Sequence, residues 1–304
     1  INRMKTIFIA GGSGLIGSHL AQRLKNKYRV FVLSRNPLPD SDGVSFLQWK
    51  PEDAQIAEPP SSPDIIINLA GAGIADSRWT DARKELLIRS RVAPALGLAT
   101  WLNEHKICPD LYIGASAIGY YGDRGNEILD ESSAGGEGFL NASVSAWESA
   151  HTSVGAHRSV LLRIGIVLST RGGALPKMML TVPWLRLLSY FGRGKQMQSW
   201  IHIDDLCSIF ERCIEDKTYH GTINAVSPSA LSNRHMIGEI KKALPFFTWV
   251  APVPAFVLKW LLGEMSHVVL DSTRVLPAFL MQKGFSFAFP SLRQAIEDLR
   301  SRKV

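Results

Sequence analysis

Lys5-Thr6-Ile7-Phe8-Ile9-Ala10-Gly11-Gly12-Ser13-Gly14-Leu15-Ile16-Gly17 is the stretch that decides the fold of this chain. Lys5 to Ala10 is a short β-rich run that stops at glycines, and the residues from Gly17 to Asn26 have helical character. Gly11, Gly14 and Gly17 repeat as G-x-x-G-x-x-G. Glycine lets a backbone turn sharply and approach a pyrophosphate with no Cβ in the way. A helix that opens straight after the turn offers free N–H groups and a partial positive charge to the phosphates. Strand, glycine turn and helix in that order predict a dinucleotide-binding unit, with Gly11, Ser13, Gly14, Leu15, Ile16 and Gly17 around the cofactor.

A second strand is expected over Val30 to Leu33, ending at Ser34-Arg35. A carboxylate at that place would accept hydrogen bonds from the adenosine ribose. An arginine can instead pair with a 2′-phosphate. Ser34 and Arg35 therefore favour NADP(H) over NAD(H). Ile65 to Leu69 is a continuous apolar run, as expected of a strand buried on both faces. It closes in Asn68-Leu69-Ala70-Gly71, where small residues let a cofactor pass close, so Leu69, Ala70 and Gly71 join the candidate site.

Farther out, Asp81 to Asn103 reads as a long helix with Pro94 as a kink or break. Leu111 to Ala115 is a strand, Gly138 to Ala150 a helix and Val160 to Leu168 a strand. Strands alternating with helices mean a parallel sheet with right-handed crossovers. Past Ser169 the rhythm changes. Trp200 to Cys213 reads as a loop and a helix, Gly221 to Val226 as one more strand, and the remainder as helical with proline breaks. The fold class is α/β, a Rossmann-like doubly wound parallel sheet with a smaller, mainly helical C-terminal domain. Residues 1–168 and about 200–226 are expected to form the dinucleotide-binding domain, and about 169–199 and 227–304 a discontinuous substrate domain.

Composition narrows the function classes. The 304 residues are 46% apolar and 20% charged, ordinary for a globular protein. Cys108, Cys207 and Cys213 form no C-x-x-C pair, which argues against a disulfide scaffold or a zinc site and for buried thiols in a reducing compartment. No metal site is expected. No secretory leader is read before Lys5, so a cytoplasmic location is expected. Pro245 to Gly263 is the most apolar long stretch, but its prolines and Lys259 argue against a membrane span. The net charge of +7 comes from dispersed cations such as Arg83, Lys84, Arg89 and Arg91, interleaved with Asp81 and Glu85. A solvated helix face and a pocket for a polyanionic cofactor account for that pattern better than nucleic acid does. Neither nucleic acid nor membrane is expected as a partner.

Taken together, these residues resemble the short-chain dehydrogenase/reductase superfamily, extended or atypical type. More narrowly, the chain is similar to the YfcH-like NAD(P)-dependent epimerase family, which also carries a cell-division-inhibitor-like label. The narrower likeness rests on Arg78-Trp79-Thr80, Ser90-Arg91, Ser116 with Gly119-Tyr120-Tyr121-Gly122-Asp123, and Trp147-Glu148. It continues in Leu162-Arg163 with Gly165, in Ser199 to Asp205, and in Leu262-Gly263-Glu264. The resemblance implies a Rossmann-like fold binding NADP(H), adds Arg91 and Gly165 to the cofactor positions, and suggests a homodimer.

Extended members of the superfamily use a Tyr-x-x-x-Lys pair with a Ser or Thr. The lysine lowers the tyrosine pKa, and the tyrosine then moves a proton. Ser116 follows a strand where the family's Ser or Thr belongs, but Phe139 and Ser143 stand where the pair would be. Tyr120 and Tyr121 are the candidate substitutes, although a tyrosine with no nearby cation keeps a pKa near ~10. Nucleotide-sugar epimerases often carry an arginine where this chain has Gln198, and a neutral amide holds a diphosphate poorly. His202 and Asp204 read as structural, Arg163 as an anchor through buried hydrogen bonds, and Trp79 as core or as a wall of the nicotinamide pocket. Two functions are carried forward: an oxidoreductase or epimerase-like enzyme on an unknown small substrate, and a catalytically silent NADP(H)-binding regulatory or sensor protein. A nucleotide-sugar epimerase is the third.

Overall fold

Thr6 to Ala10 forms the first strand, β1, and all five residues are buried. Its alternation divides the core. Ile7 and Ile9 pack with helix α1 (Leu15–Leu24), while Phe8 and Ala10 pack with Ala95, Leu98 and Trp101 of helix α2 (Asp81–Glu104). A strand covered on both faces is apolar along its length, which is why Ile7 to Ala10 show no polar alternation; Thr6, at its start, is buried with its hydroxyl 3.1 Å from Ser61 Oγ. The computed structural model describes residues 3–36 and 38–302.

Seven more strands join β1 in one sheet. They are β2 (Arg29–Ser34), β3 (Val44–Lys50), β4 (Gln55–Ile56), β5 (Ile65–Asn68), β6 (Leu111–Ala117), β7 (Ser159–Ile164) and β8 (Gly221–Ala225). Their spatial order is β8-β7-β6-β5-β1-β2-β3-β4. Every pairing is parallel except that of the short edge strand β4 with β3. This is the doubly wound Rossmann-like sheet the sequence predicts. The order reverses between β1 and β5, so a crevice opens beyond their C-terminal ends, where open α/β sheets bind ligands.

Helix α2 and helix α3 (Gly138–His151) contribute to the core on one face. Helix α1 and helix α4 (Ile203–Glu215) pack on the other, where Leu206, Ile209, Phe210 and Cys213 meet Leu20 and Ile113. Pro94 neither ends nor divides α2, which runs unbroken over it. The strand expected over Val160 to Leu168 is split at Gly165. The chain leaves the main sheet there, and Ile166–Leu168 pairs instead with Trp200–His202.

Beyond that split a second apolar cluster gathers Leu175, Leu188 and Trp200. Helices α5 (Asn233–Ala243) and α7 (Leu292–Ser301) supply Met236, Ile237, Ile240, Leu292, Ile296 and Leu299. The C-terminal part is mainly helical, and it also contains α6 (Ala255–Leu262). It is not helical throughout: Leu187–Phe191 and Trp249–Val253 form a parallel two-stranded pair in segments expected to be irregular or helical. Cys207 and Cys213 are buried as expected, but Cys108 is exposed, in the connection that follows α2.

Candidate functional site

The glycine turn is built by contacts that only glycine permits. Gly11 has φ +75°, and a Cβ there would lie 2.7 Å from the carbonyl carbon and oxygen of Leu69. A Cβ on Gly17 would lie 2.4 Å from the Gly11 oxygen. The Gly14 N–H donates to the Gly11 carbonyl at 3.0 Å, which closes the turn. Gly14 then caps α1 without offering a side chain, and Ser18 is the first residue of the helix to donate back, to the Gly14 carbonyl at 2.9 Å. The N–H groups of Leu15, Ile16 and Gly17 find no acceptor among the described residues. Orphan donors at a helix start suit an anion.

The wall facing this turn is set by Asn68, which is buried at the end of β5. Its Oδ1 accepts from the Ala70 N–H at 3.1 Å, and its Nδ2 donates to the Tyr112 hydroxyl at 3.2 Å. The Tyr112 hydroxyl lies 2.6 Å from His151 Nδ1, and His151 Nε2 lies 2.9 Å from the Ala115 carbonyl. Only a neutral histidine fits this chain, with Nδ1 accepting and Nε2 donating. Leu69 and Ala70 are thus held where Gly11 meets them, and Gly71 rests against Arg91, whose Cγ would lie 3.1 Å from an added Cβ. The sequence pointed to no such chain of bonds beneath this wall.

Burial pulls the His151 pKa down to about 4. The unfolded chain, with a histidine pKa near ~6.5, takes up this proton first as the pH falls. Stability tied to His151 is therefore present above pH ~6.5 and is lost between there and pH ~4, by up to roughly 3 kcal/mol. Urea midpoints measured across that range are expected to fall for the wild type, and to fall less steeply for His151→Gln. Equal slopes would remove His151 as the cause.

Arg91 donates from its two terminal nitrogens to the carbonyls of Leu87 and Ala72, both at 2.9 Å, and its guanidinium lies 5.3 Å from the Trp147 ring centre. It forms no ion pair among the described residues. Burial, with Arg83 nearby, lowers its pKa to about 10. A charge buried against carbonyls alone leaves positive potential at the end of β5. At the end of β2, Ser34 is half-buried and the next residue, Arg35, is exposed. A cleft of roughly 690 Å³ runs beside Gly12, Ser13, Val32, Phe46 and Arg171. The sequence had not singled out Arg171, which reaches the glycine turn only through the fold.

Ser116 and Tyr121 sit in a buried network. The Ser116 hydroxyl donates to Glu148 Oε1 at 2.5 Å, and Arg163 grips the same carboxylate with two bonds of 2.8 and 2.9 Å. Arg163 also donates to the Tyr121 hydroxyl at 3.1 Å, and that hydroxyl in turn faces Asn224 Oδ1 at 2.8 Å and the Asp130 carbonyl at 2.9 Å. Tyr121 is fully buried, and burial outweighs its hydrogen bonds to raise its pKa. Strand alternation explains Ser116: it shares the α3 side of β6 with Tyr112, so it points at Glu148. Tyr120 is half-buried, its ring centre 3.4 Å from the Arg163 guanidinium, and its hydroxyl has no partner among the described residues.

Comparison with known proteins gives this arrangement a family. The NAD dependent epimerase/dehydratase family matches residues 7–225. The chain belongs to that family. A domain of unknown function, DUF1731, matches residues 253–299. The epimerase family protein SH2119 of Staphylococcus haemolyticus is 34% identical over 97% of this chain and 99% of its own length. An epimerase family protein of Arabidopsis thaliana, described as a chloroplastic SDR39U1 homolog, is 31% identical over 97% of this chain and 86% of its own. The crystal structure of human epimerase family protein SDR39U1 (isoform 2) with NADPH superposes with a TM-score of 0.86 at 28% identity, covering 98% of this chain and all of that one.

Phe139 and Ser143, where the sequence led the tyrosine–lysine pair to be sought, are an apolar ring and a buried hydroxyl. The Phe139 ring packs edge-on against Trp79, centres 4.8 Å apart, beside Leu87 and Met265. Ser143 is buried. Trp79 is fixed by its Nε1–H donating to the Ile74 carbonyl at 2.9 Å. Gly165 has a packing reason to be glycine, because a Cβ there would lie 2.8 Å from the Ser199 carbonyl and from Val226. Gln198 is buried and accepts from Asn233 Nδ2 at 3.0 Å, so its amide is spent inside the protein. Arg193 and Lys195 line a separate hollow of about 520 Å³ with Asp123, Lys259 and His267.

His202, Asp204 and Asp298 lie close enough together to suggest metal ligands. His202 Nδ1 already accepts from the Asp204 N–H at 3.1 Å and so caps α4, which leaves the ring proton on Nε2. Asp204 is held by His19 at 2.6 Å and by Arg302, and Arg302 also reaches Asp298 at 2.6 Å. Arg302 pairs with both carboxylates and His19 of α1 holds Asp204, so the group ties α4 and α7 to α1.

Proposed function

We propose that this protein binds NADP(H) across the Gly11–Gly17 turn and acts as an oxidoreductase of epimerase-like build, on a small substrate seated against Trp79 and Phe139. The observation that carries the proposal is the set of orphan N–H groups on Leu15, Ile16 and Gly17, at the point where the sheet order reverses. Leu69, Ala70 and Gly71 supply the opposite wall, and the charge of Arg91, which pairs with no carboxylate among the described residues, attracts an anion there. The human SDR39U1 structure, solved with NADPH, supports the same choice for this relative. Arg35 directly follows β2 with its side chain exposed, placed to pair with a 2′-phosphate, and Arg171 adds a second cation beside Ser13.

When bound, the nicotinamide supplies or accepts hydride. The Trp79, Phe139 and Met265 side chains keep water from the face on which the substrate rests. They move no proton. Ser116 gives its hydrogen to Glu148, and Tyr121 has its hydroxyl enclosed, so Tyr120 or water takes the proton step. Gln198 gives no diphosphate clamp, which argues for a substrate other than a sugar nucleotide.

A second reading is an NADP(H)-binding protein without turnover that reports cofactor state to a partner. The apolar Phe139 at the place of the family's tyrosine favours it. One set of measurements separates the two. NADPH consumption with a panel of small carbonyls, slowed at least about tenfold by Tyr120→Phe, supports the enzyme. Tight binding with no turnover across the panel supports the reporter. In parallel, Arg35→Ala is expected to weaken NADPH binding by roughly tenfold, near 1.4 kcal/mol, and to leave NADH affinity unchanged in a calorimetric titration. An unaltered preference would remove Arg35 as the 2′-phosphate partner.

A further inference from the structure

Residues 170–203 and 240–263 contain no aspartate or glutamate. The first stretch carries Arg186, Arg193 and Lys195, besides Arg171 at the cofactor cleft and Lys177 beside Asp76, and the second carries Lys241, Lys259 and Lys242, the last paired with Glu239. The parallel pairing of Leu187–Phe191 with Trp249–Val253 brings the two together. They also hold the most exposed aromatic side chains among the described residues: Trp184 (87%), Trp260 (77%), Phe256 (73%), Phe247 (65%) and Trp249 (65%). At the start of the strand pair these groups touch. Phe247 meets Trp249 edge-on at 5.0 Å, the Arg186 guanidinium lies 3.9 Å from the Phe246 ring centre, and Lys241 lies 5.3 Å from that of Phe247. At the other end, Phe256 and Trp260 share one face of α6, beside Lys259.

Exposed tryptophans at this density cost solubility unless something covers them. A second copy meeting this face about a two-fold axis would set Arg186 and Lys241, which pair with no carboxylate among the described residues, against their own copies, although Glu239 offsets Lys242. A surface apolar beneath and negative above accepts both parts. Trp, Phe and Leu side chains enter the headgroup boundary while Lys and Arg reach up to the phosphates. We propose that this face docks on an anionic lipid bilayer, lying in the interface rather than crossing it. No described helix is long and apolar enough to cross a membrane, and α6 has only eight residues. Leu262, at the end of α6, packs with Trp79 and Phe139, so docking would bring the candidate substrate wall to the lipid surface.

The test is co-sedimentation of the full chain with vesicles of phosphatidylcholine alone, or of phosphatidylcholine with roughly 30% phosphatidylserine. Partition into the anionic vesicles is expected to be at least about tenfold stronger and to weaken as salt rises. Phe256→Ser with Trp260→Ser, and separately Lys241→Glu with Lys242→Glu, are each expected to lose that binding by about tenfold or more. Circular dichroism and Tm check that these variants fold, and the wild-type comparison of the two lipids decides the matter if they do not. Three results would overturn the proposal: no preference for anionic vesicles, undiminished binding by folded variants, or a solution dimer that Trp184→Ser converts to monomer.

Discussion

Gly11→Ala is expected to weaken NADPH binding at least about 100-fold, near 2.7 kcal/mol, while leaving the secondary structure in place. Two costs fall on one atom. At φ +75° an alanine is strained, and its Cβ would stand 2.7 Å from the Leu69 backbone. Leu69 cannot retreat, because its N–H donates to the Ala10 carbonyl at 2.8 Å and Asn68 holds the next N–H. The turn must therefore move, and the start of α1 moves with it, carrying the orphan N–H groups off their aim. Calorimetric titration of the variant with NADPH, beside circular dichroism to establish folding, checks this. A folded variant that binds like the wild type would mean that this turn does not hold the phosphates.

Arg163→Met carries the largest expected loss of stability. Arg163 is buried, and burial works against its charge, yet Glu148 and Tyr121 hold it firmly protonated. Removing the guanidinium strands the Glu148 carboxylate beside Ser116 without its cation. Breaking a buried pair from one side costs roughly 3–5 kcal/mol. For a chain of this size that is a Tm fall of roughly 5–10 °C. The double change Arg163→Met with Glu148→Gln is expected to recover part of the loss, since no buried charge is then left unpaired. Thermal melts of the two variants give the answer. A single variant as stable as the wild type would deny the network its structural part.

The glycine turn was legible in the sequence because it is local: a strand, spaced glycines and a helix follow one another within a dozen or so residues. The parallel, doubly wound sheet followed from the alternation of apolar runs with helical stretches, whereas the order of its strands was not read from the sequence. Ser116 and Tyr121 were picked by position alone, and position does not say which way a side chain at the end of a strand points. The partners that claim them, Glu148, Arg163 and Asn224, come from three other elements. Arg163 itself was read correctly as a buried anchor, because an arginine inside an apolar strand has few other options. The Asn68–Tyr112–His151 chain joins β5, β6 and α3, and no sequence pattern links residues that far apart. Strand β3 was missed because its mixed polarity follows neither a buried nor an alternating pattern: Val44 and Trp49 are buried, Phe46 and Leu47 pack against the core only partly buried, and Gln48 and Lys50 are exposed. An aromatic and basic face assembled from residues 170–203 and 240–263 becomes visible only when the two stretches are paired.

Isothermal titration of the wild-type chain with NADPH and with NADH tests most directly whether the Gly11–Gly17 turn is a dinucleotide site. Saturable binding of NADPH, at least about tenfold tighter than NADH, is the predicted result. No heat with either nucleotide would contradict it.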